Sequence, residues 1–362
     1  MIDLEAYRRK KVHTETIGAL AYSPNGKYLA SADRAGKISL WEAGRSRLVR
    51  SVGTPFTPLT GIWFGEDESR LLAGCQPGQL LVYDLPDLHI KKQVRLDTHR
   101  SGPDQLLQGT TPVLDWVIFV AAPAREEFLY ATLEFCDFFT VHQEGLKVLD
   151  HTHIGRNPIS CAVGSLDGQV QFVGDELGYV ERYSPQDKKL KNFAIHEEEV
   201  KAVDRNMHPT RMRSMIGIAA LALSPDQKLM ASTSRSGGVH IWDTGAGQDE
   251  SESSHRREAW FSKAPLETGW MRGVCFLPGQ EALLLGTDDG KISFWDYQHN
   301  SYTLWAQTTE GIRVIAASPD GTQVAIGAED GGLFIAPAPG APPKSASQPA
   351  SSSWLQKVFG KK

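Results

Sequence analysis

Apolar residues along the chain fall into short runs, and the clearest group lies between Ile17 and Trp41, IGALAYSPNGKYLASADRAGKISLW. Ile17 to Tyr22, Tyr28 to Ala32 and Lys37 to Trp41 are apolar and mildly alternating, which predicts three strands. Ser23-Pro24-Asn25-Gly26 separates the first two; Pro24 fixes φ and Asn25-Gly26 accepts φ > 0, so this link is a turn. Asp33 to Gly36 forms the second link. An antiparallel meander of this size cannot bury both faces alone and needs neighbours of its own kind.

The neighbours are in the sequence. Ile218 to Asp243, Gly273 to Asp296, Ile312 to Pro337 and Gly61 to Asp84 repeat the pattern, with Trp242, Trp295 and Tyr83 in the place of Trp41. Val113 to His142 and Ile159 to Tyr183 keep the rhythm in a degraded form. This makes seven units, and the two degraded ones leave counts of six or eight open. Trp41 to Tyr83 gives a spacing of 42 residues, and Trp242 to Trp295 one of 53.

A period of this size ending in Trp-Asp resembles the WD-repeat family over roughly residues 7–338. The resemblance implies an all-β chain, a seven-bladed β-propeller of four-stranded antiparallel blades. Blades are expected near 16–53, 59–97, 112–150, 158–196, 216–263, 271–307 and 311–338. The last offers only three strands before the chain turns Ala/Pro-rich, so the ring is expected to close with an N-terminal strand over 7–13. An open ring would leave an unpaired edge. Family members often join a His before the first strand to an Asp in the turn before the third. Asp289 occupies that Asp place without a preceding His. His13 and His196 precede units whose Asp places read as Ala35 and Ser236. On this alignment no unit has the full polar set, and stability is expected from strand packing.

Composition excludes several classes. The 362 residues are 41% hydrophobic and 22% charged, with a net charge of -5, so no global field draws the chain to nucleic acid or anionic lipid. The RRKK run at 8–11 reads as a solvated outer edge, with a nucleic-acid or membrane patch as the alternative. Cys75, Cys136, Cys161 and Cys275 lie singly and read as reduced, buried thiols. The N-terminus lacks the apolar region of a signal peptide, and Val113 to Ala122 is too short and carries Asp115, so no span is expected. The expected compartment is the cytoplasm.

No P-loop, no Gly-rich nucleotide motif and no nucleophile elbow is present. His151 and His153 form an HTH pair that lacks a further ligand beyond Asp150, and Asp288-Asp289 reads as a turn. No cofactor, metal or catalytic group is expected. Long connections at 98–111, 197–215 and 244–257 are where a rigid scaffold would carry binding loops.

Two features point to partners. The repeat alignment gathers Arg34, Arg100, Arg156, Arg211, Arg213, Arg235, Arg272 and Arg313 on the loops at one end, with Trp270 among them. Arg and Trp are the residue types that anchor interfaces, and such loops suit a peptide with acidic or phosphorylated groups. Glu15, Glu197, Asp288, Glu310 and Asp330 make the same end mixed in charge. Residues 339–362 form a second region, a flexible Pro/Ala/Ser linker ending in Trp354, Leu355, Val358 and Phe359, which share one face of a short helix. The function expected is a non-enzymatic protein–protein interaction scaffold, monomeric outside its complex. A propeller enzyme or small-ligand binder using the central channel, and a weakly membrane-associated adaptor, are the alternatives.

Overall fold

A computed structural model describes residues 1–9, 12–65, 67–76, 78–96, 117–121, 128–133, 137–142, 147–153, 157–165, 168–197, 200, 216–245, 258–263 and 270–341. Their strands form six antiparallel sheets of four strands and one of three. Sheet one contains Ile17–Tyr22, Tyr28–Asp33, Lys37–Glu42 and Arg47–Gly53. Sheets two to seven begin with Leu59–Phe64, Val117–Ala121, Ile159–Gly164, Ile218–Leu223, Met271–Phe276 and Ile312–Ala317. In every sheet, strands adjacent in sequence are adjacent in space, so tight turns suffice as connections.

Each first strand packs against the first strand of the next sheet, and Ile312–Ala317 packs against Ile17–Tyr22. The sheets therefore stand around a common axis with their first strands innermost. In sheet one the second and third strands are largely buried, whereas the outermost, Arg47–Gly53, is largely exposed. The large residue near the end of the third strand in five of the sheets explains the repeat. Trp41, Tyr83, Tyr183, Trp242 and Trp295 are all buried in layers between neighbouring sheets.

Glycine sets the spacing of these layers. A Cβ on Gly174 would meet Ile218 Cγ2 at 2.6 Å, one on Gly286 would meet Ile312 Cγ2 at 2.6 Å, and one on Gly327 would meet Ile17 Cγ2 at 2.7 Å. Each pair joins the second strand of one sheet to the first residue of the next. The seventh and first sheets thus meet through the same close contact as interior neighbours.

The expected N-terminal strand over 7–13 includes residues 10 and 11, which lie outside the described residues; no strand is formed among the others. Leu4–Tyr7 is a 3-10 turn capped by Asp3, and among the described residues the pairing to sheet seven is one antiparallel bridge, Arg8 to Phe334. Arg9 N–H donates to Leu333 O at 2.8 Å. The reason is side-chain burial: Leu4 is almost wholly buried with Trp305, Ala306, Phe334 and Ala336, which turns the chain in before a strand can run. The bridge also settles the roles of Arg8 and Arg9. Arg8 donates to Glu5 at 2.7 Å and Asp330 at 3.0 Å and lies over the Phe334 ring, while Arg9 donates to Ile335 O at 3.1 Å.

The expectation that no unit holds a full polar set is also corrected. His13 Nδ1 lies 3.0 Å from Asp33 Oδ2, His13 Nε2 lies 2.7 Å from Ser31 Oγ, and Trp41 Nε1 donates to Ser31 Oγ at 2.9 Å. All four residues are buried. The aspartate is Asp33, at the end of the second strand, and not the turn position occupied by Ala35. Sheet five repeats the set, with His196 2.7 Å from Ser232 Oγ and Trp242 Nε1 donating to it at 2.7 Å. Ser234 stands there in the place of Asp33. Polar networks and strand packing hold these sheets together.

Candidate functional site

The end of the ring that carries the links between second and third strands is built by one backbone rule. The residue after each second strand donates its N–H to the carbonyl of the residue before the first strand. Arg34 donates to Thr16, Gln76 to Pro58, Glu176 to Pro158, Arg235 to Gly217, Asp288 to Trp270 and Glu329 to Gly311, at 2.9–3.2 Å. Six side chains are thereby fixed at equivalent places around the rim.

A second set of side chains comes from bulges. Register shifts fall after the first residue of the first strand in all seven sheets, and in six of them the side chain of the extra residue is described. Those six residues are Gly18, Thr60, Ser160, Ala219, Arg272 and Arg313. A bulge re-aims its side chain without ending the sheet. At sheets six and seven it delivers an arginine to the rim.

Four of the arginines expected at this end do come together. Arg235, Arg272, Arg313 and Arg34 belong to four consecutive sheets: five, six, seven and one. Three carboxylates stand among them: Glu176 3.9 Å from Arg235, Asp288 3.8 Å from Arg272, and Glu329 3.7 Å from Arg313. Trp270 is 43% exposed, and the Arg272 guanidinium lies 5.2 Å from its ring centroid. Its backbone N–H donates to Asp288 Oδ1 at 2.6 Å, which ties the indole to the same corner.

The electrostatics follow from crowding. Burial pulls the Arg272 guanidinium below its ordinary pKa; Asp288 and Glu329 oppose this, and Arg235 and Arg34 reinforce it. Burial does the same to Arg313, with Arg272 and Arg34 adding to it and Glu329 and Asp288 opposing. Arginine remains charged through such shifts. Arg34 is exposed and, among the described residues, makes no ion pair.

Other expectations fall elsewhere. Arg100, Arg156, Arg211 and Arg213, the connection at 98–111, most of those at 197–215 and 244–257, and the tail with Trp354, Leu355, Val358 and Phe359 lie outside the described residues, as do the side chains of His151 and His153. Among the described residues, no group of three His, Cys, Asp or Glu is placed to hold a metal. Cys75, Cys161 and Cys275 are free, and burial pushes each thiol up to about 12, which leaves them weak nucleophiles. No helix among the described residues is long and apolar enough to cross a membrane.

The sequence reading missed Asp33, Glu176, Glu329 and the bulges. A signal for the first three was present. Counting forward from the first strand places Asp33, Asp175, Ser234 and Thr287 each sixteen residues after its start, and Glu176 and Glu329 one place later. Counting back from the Trp by the family's spacing lands two residues too late.

The sequence has matches among known proteins. The profile of the family described as "WD domain, G-beta repeat" matches residues 6–42 and 214–243, which include the first three strands of sheets one and five. The Arabidopsis thaliana protein "Cell division cycle 20.6, cofactor of APC complex" is 25% identical over 186 residues, 38% of this chain and 42% of that protein. "Protein ROOT INITIATION DEFECTIVE 3", from the same plant, is 33% identical over 76 residues, 21% of this chain and 17% of its own length. The chain thus spans less than half of either relative. Repeated sheets, buried Trp, the His13–Ser31–Asp33 network and these matches agree: the chain carries WD repeats at residues 6–42 and 214–243 and folds as a β-propeller.

Proposed function

We propose that this protein is a non-enzymatic interaction scaffold that docks a protein partner on the rim bearing Arg34, Arg235, Trp270, Arg272 and Arg313. The observation that carries the reading is the arc of four arginines on consecutive sheets beside a half-exposed tryptophan. Arg and Trp in partly desolvated settings dominate binding energies at interfaces. Rigid sheets hold them with little ordering cost on association. One relative is described as a cofactor of a complex, which supports the reading.

In this reading the three-stranded sheet is the seventh blade, completed by residues 1–9 in place of a fourth strand. The tail at 339–362 supplies a second contact through Trp354, Leu355, Val358 and Phe359. Tethering raises its effective concentration at the partner. The free, protonated cysteines fit a reducing compartment, the cytoplasm.

Affinity capture from native lysate tests the reading with three baits: the full chain, a truncation after Gly340, and a variant with Arg34, Arg235, Arg272 and Arg313 changed to Ala. A partner held by the first two and lost by the third is the expected result. A partner held equally by all three places recognition away from the rim. One lost only on truncation makes the tail the recognition element.

A further inference from the structure

Resting on the docking reading above, we infer that the rim takes an oxyanion of a peptide partner, a side-chain carboxylate or phosphate seated between Arg272 and Arg313 with Trp270 as its wall. Both arginines sit at the same bulge in adjacent sheets, so their guanidinium groups are presented side by side from rigid strands. Planar guanidinium forks match the two-oxygen geometry of carboxylates and phosphates.

The resident carboxylates leave donors for such a group. At 3.8 and 3.7 Å, the Asp288 and Glu329 pairs of Arg272 and Arg313 exceed the 2.7–3.2 Å of an N–H···O bond and act by charge alone. Arg272 Nε is buried and has no acceptor among the described residues. An N–H removed from water without an acceptor is costly, and an anion supplies the acceptor. Arg235 and Arg34 disfavour the charge on Arg272, and Arg272 and Arg34 that on Arg313, so an added negative group relieves a local excess of positive charge. The excess is one-sided, because the equivalent positions of sheet two are the neutral Thr60 and Gln76. Trp270 holds the Arg272 guanidinium against its face, which orders it before binding. Nucleic acid fits less well: the chain is net negative, and this basic arc is interrupted by three carboxylates.

Side-chain Nε–Hε signals of arginine in 15N spectra of the full chain test the inference directly. The probes are capped hexapeptides at constant ionic strength: one with a central phosphoserine, one with paired Glu, and one with Ser and Gln in those places. Inorganic phosphate is run alongside. The expected result is saturable movement of the Arg272 and Arg313 signals with an anionic peptide and none with the neutral one. Arg272→Gln is expected to weaken that binding by about tenfold. Which anionic peptide saturates at the lower concentration identifies the source of the oxyanion. If Arg272→Gln does not fold, the contrast between anionic and neutral peptides in the natural chain still decides. Equal movement with all three peptides, or none with any, overturns the inference. Inorganic phosphate binding as tightly as the phosphopeptide overturns its peptide component. Loss of a captured partner with Trp270→Ala, but no response to either anionic peptide, overturns the oxyanion and leaves the docking reading in place.

Discussion

Asp33 and Asp175 occupy the same place in sheets one and four, and each accepts the N–H four residues ahead, Lys37 at 2.8 Å and Tyr179 at 2.9 Å. Their environments push them in opposite directions. Burial raises Asp33, but hydrogen bonds from His13, Lys37 and Thr14 outweigh it and hold the carboxyl below its ordinary range. For Asp175, burial wins over the N–H groups of Tyr179 and Leu177 and the Asn157 amide, and the carboxyl is raised. The linkage signs differ accordingly. Asp33 contributes stability above the ordinary carboxylate pKa, and that contribution is lost as pH falls through its lowered value. Asp175 contributes most below the ordinary pKa, and that contribution is lost as pH rises through its raised one. Asp33→Asn should therefore lose about 1–3 kcal/mol at pH 7, with the deficit shrinking in acid. Asp175→Asn should gain relative to the natural chain between pH 4 and pH 7. Urea unfolding at several pH values checks both. At this scale the sequence was partly legible. The rim arginines could be placed because each lies next to a recognisable strand end, whereas Asp33 was obscured by its offset from the family's usual spacing.

Strands were the most readable elements, since the large third-strand residue and the Ser-Pro-Asp/Asn turns impose a fixed spacing between strands. The joints between sheets were not readable. A glycine in a strand gives no indication of which isoleucine it faces, yet Gly327 against Ile17 decides whether sheets seven and one can meet. Gly327→Ala should cost about 1–3 kcal/mol through overpacking and raise hydrogen exchange in the first strand of sheet one. The N-terminal segment was misread for a related reason. One leucine between Asp3 and Glu5 has no periodicity, so the burial of Leu4 was invisible and a strand was expected instead. Leu4→Ala should cost about 2–5 kcal/mol, and a chain lacking residues 1–9 should show earlier proteolysis at sheet seven than elsewhere. Protection unchanged by that deletion would show that the segment plays no part in closing the ring.

At the scale of the whole molecule, a circular array turns a local repeat into a shared surface. One rim position per sheet, fixed by the same backbone hydrogen bond, brings Arg34 and Arg235 together although they lie two hundred and one residues apart in sequence. The array also makes the rim asymmetric, because charge at each position is free to vary while the backbone is not. The opposite end is built from Ser-Pro turns whose polar side chains are largely spent on their own backbones, as Ser23, Ser224 and Ser318 are. A partner should therefore choose the first end. Hydrogen–deuterium exchange on the full chain, alone and bound to a captured partner, tests this most directly. Slowed exchange around 34–37, 235–238, 270–273, 288–291 and 329–332, with the turns at 23–27, 224–228 and 318–322 unchanged, is the result this account predicts. Slowed exchange at those turns, with the arginine rim unchanged, would contradict it.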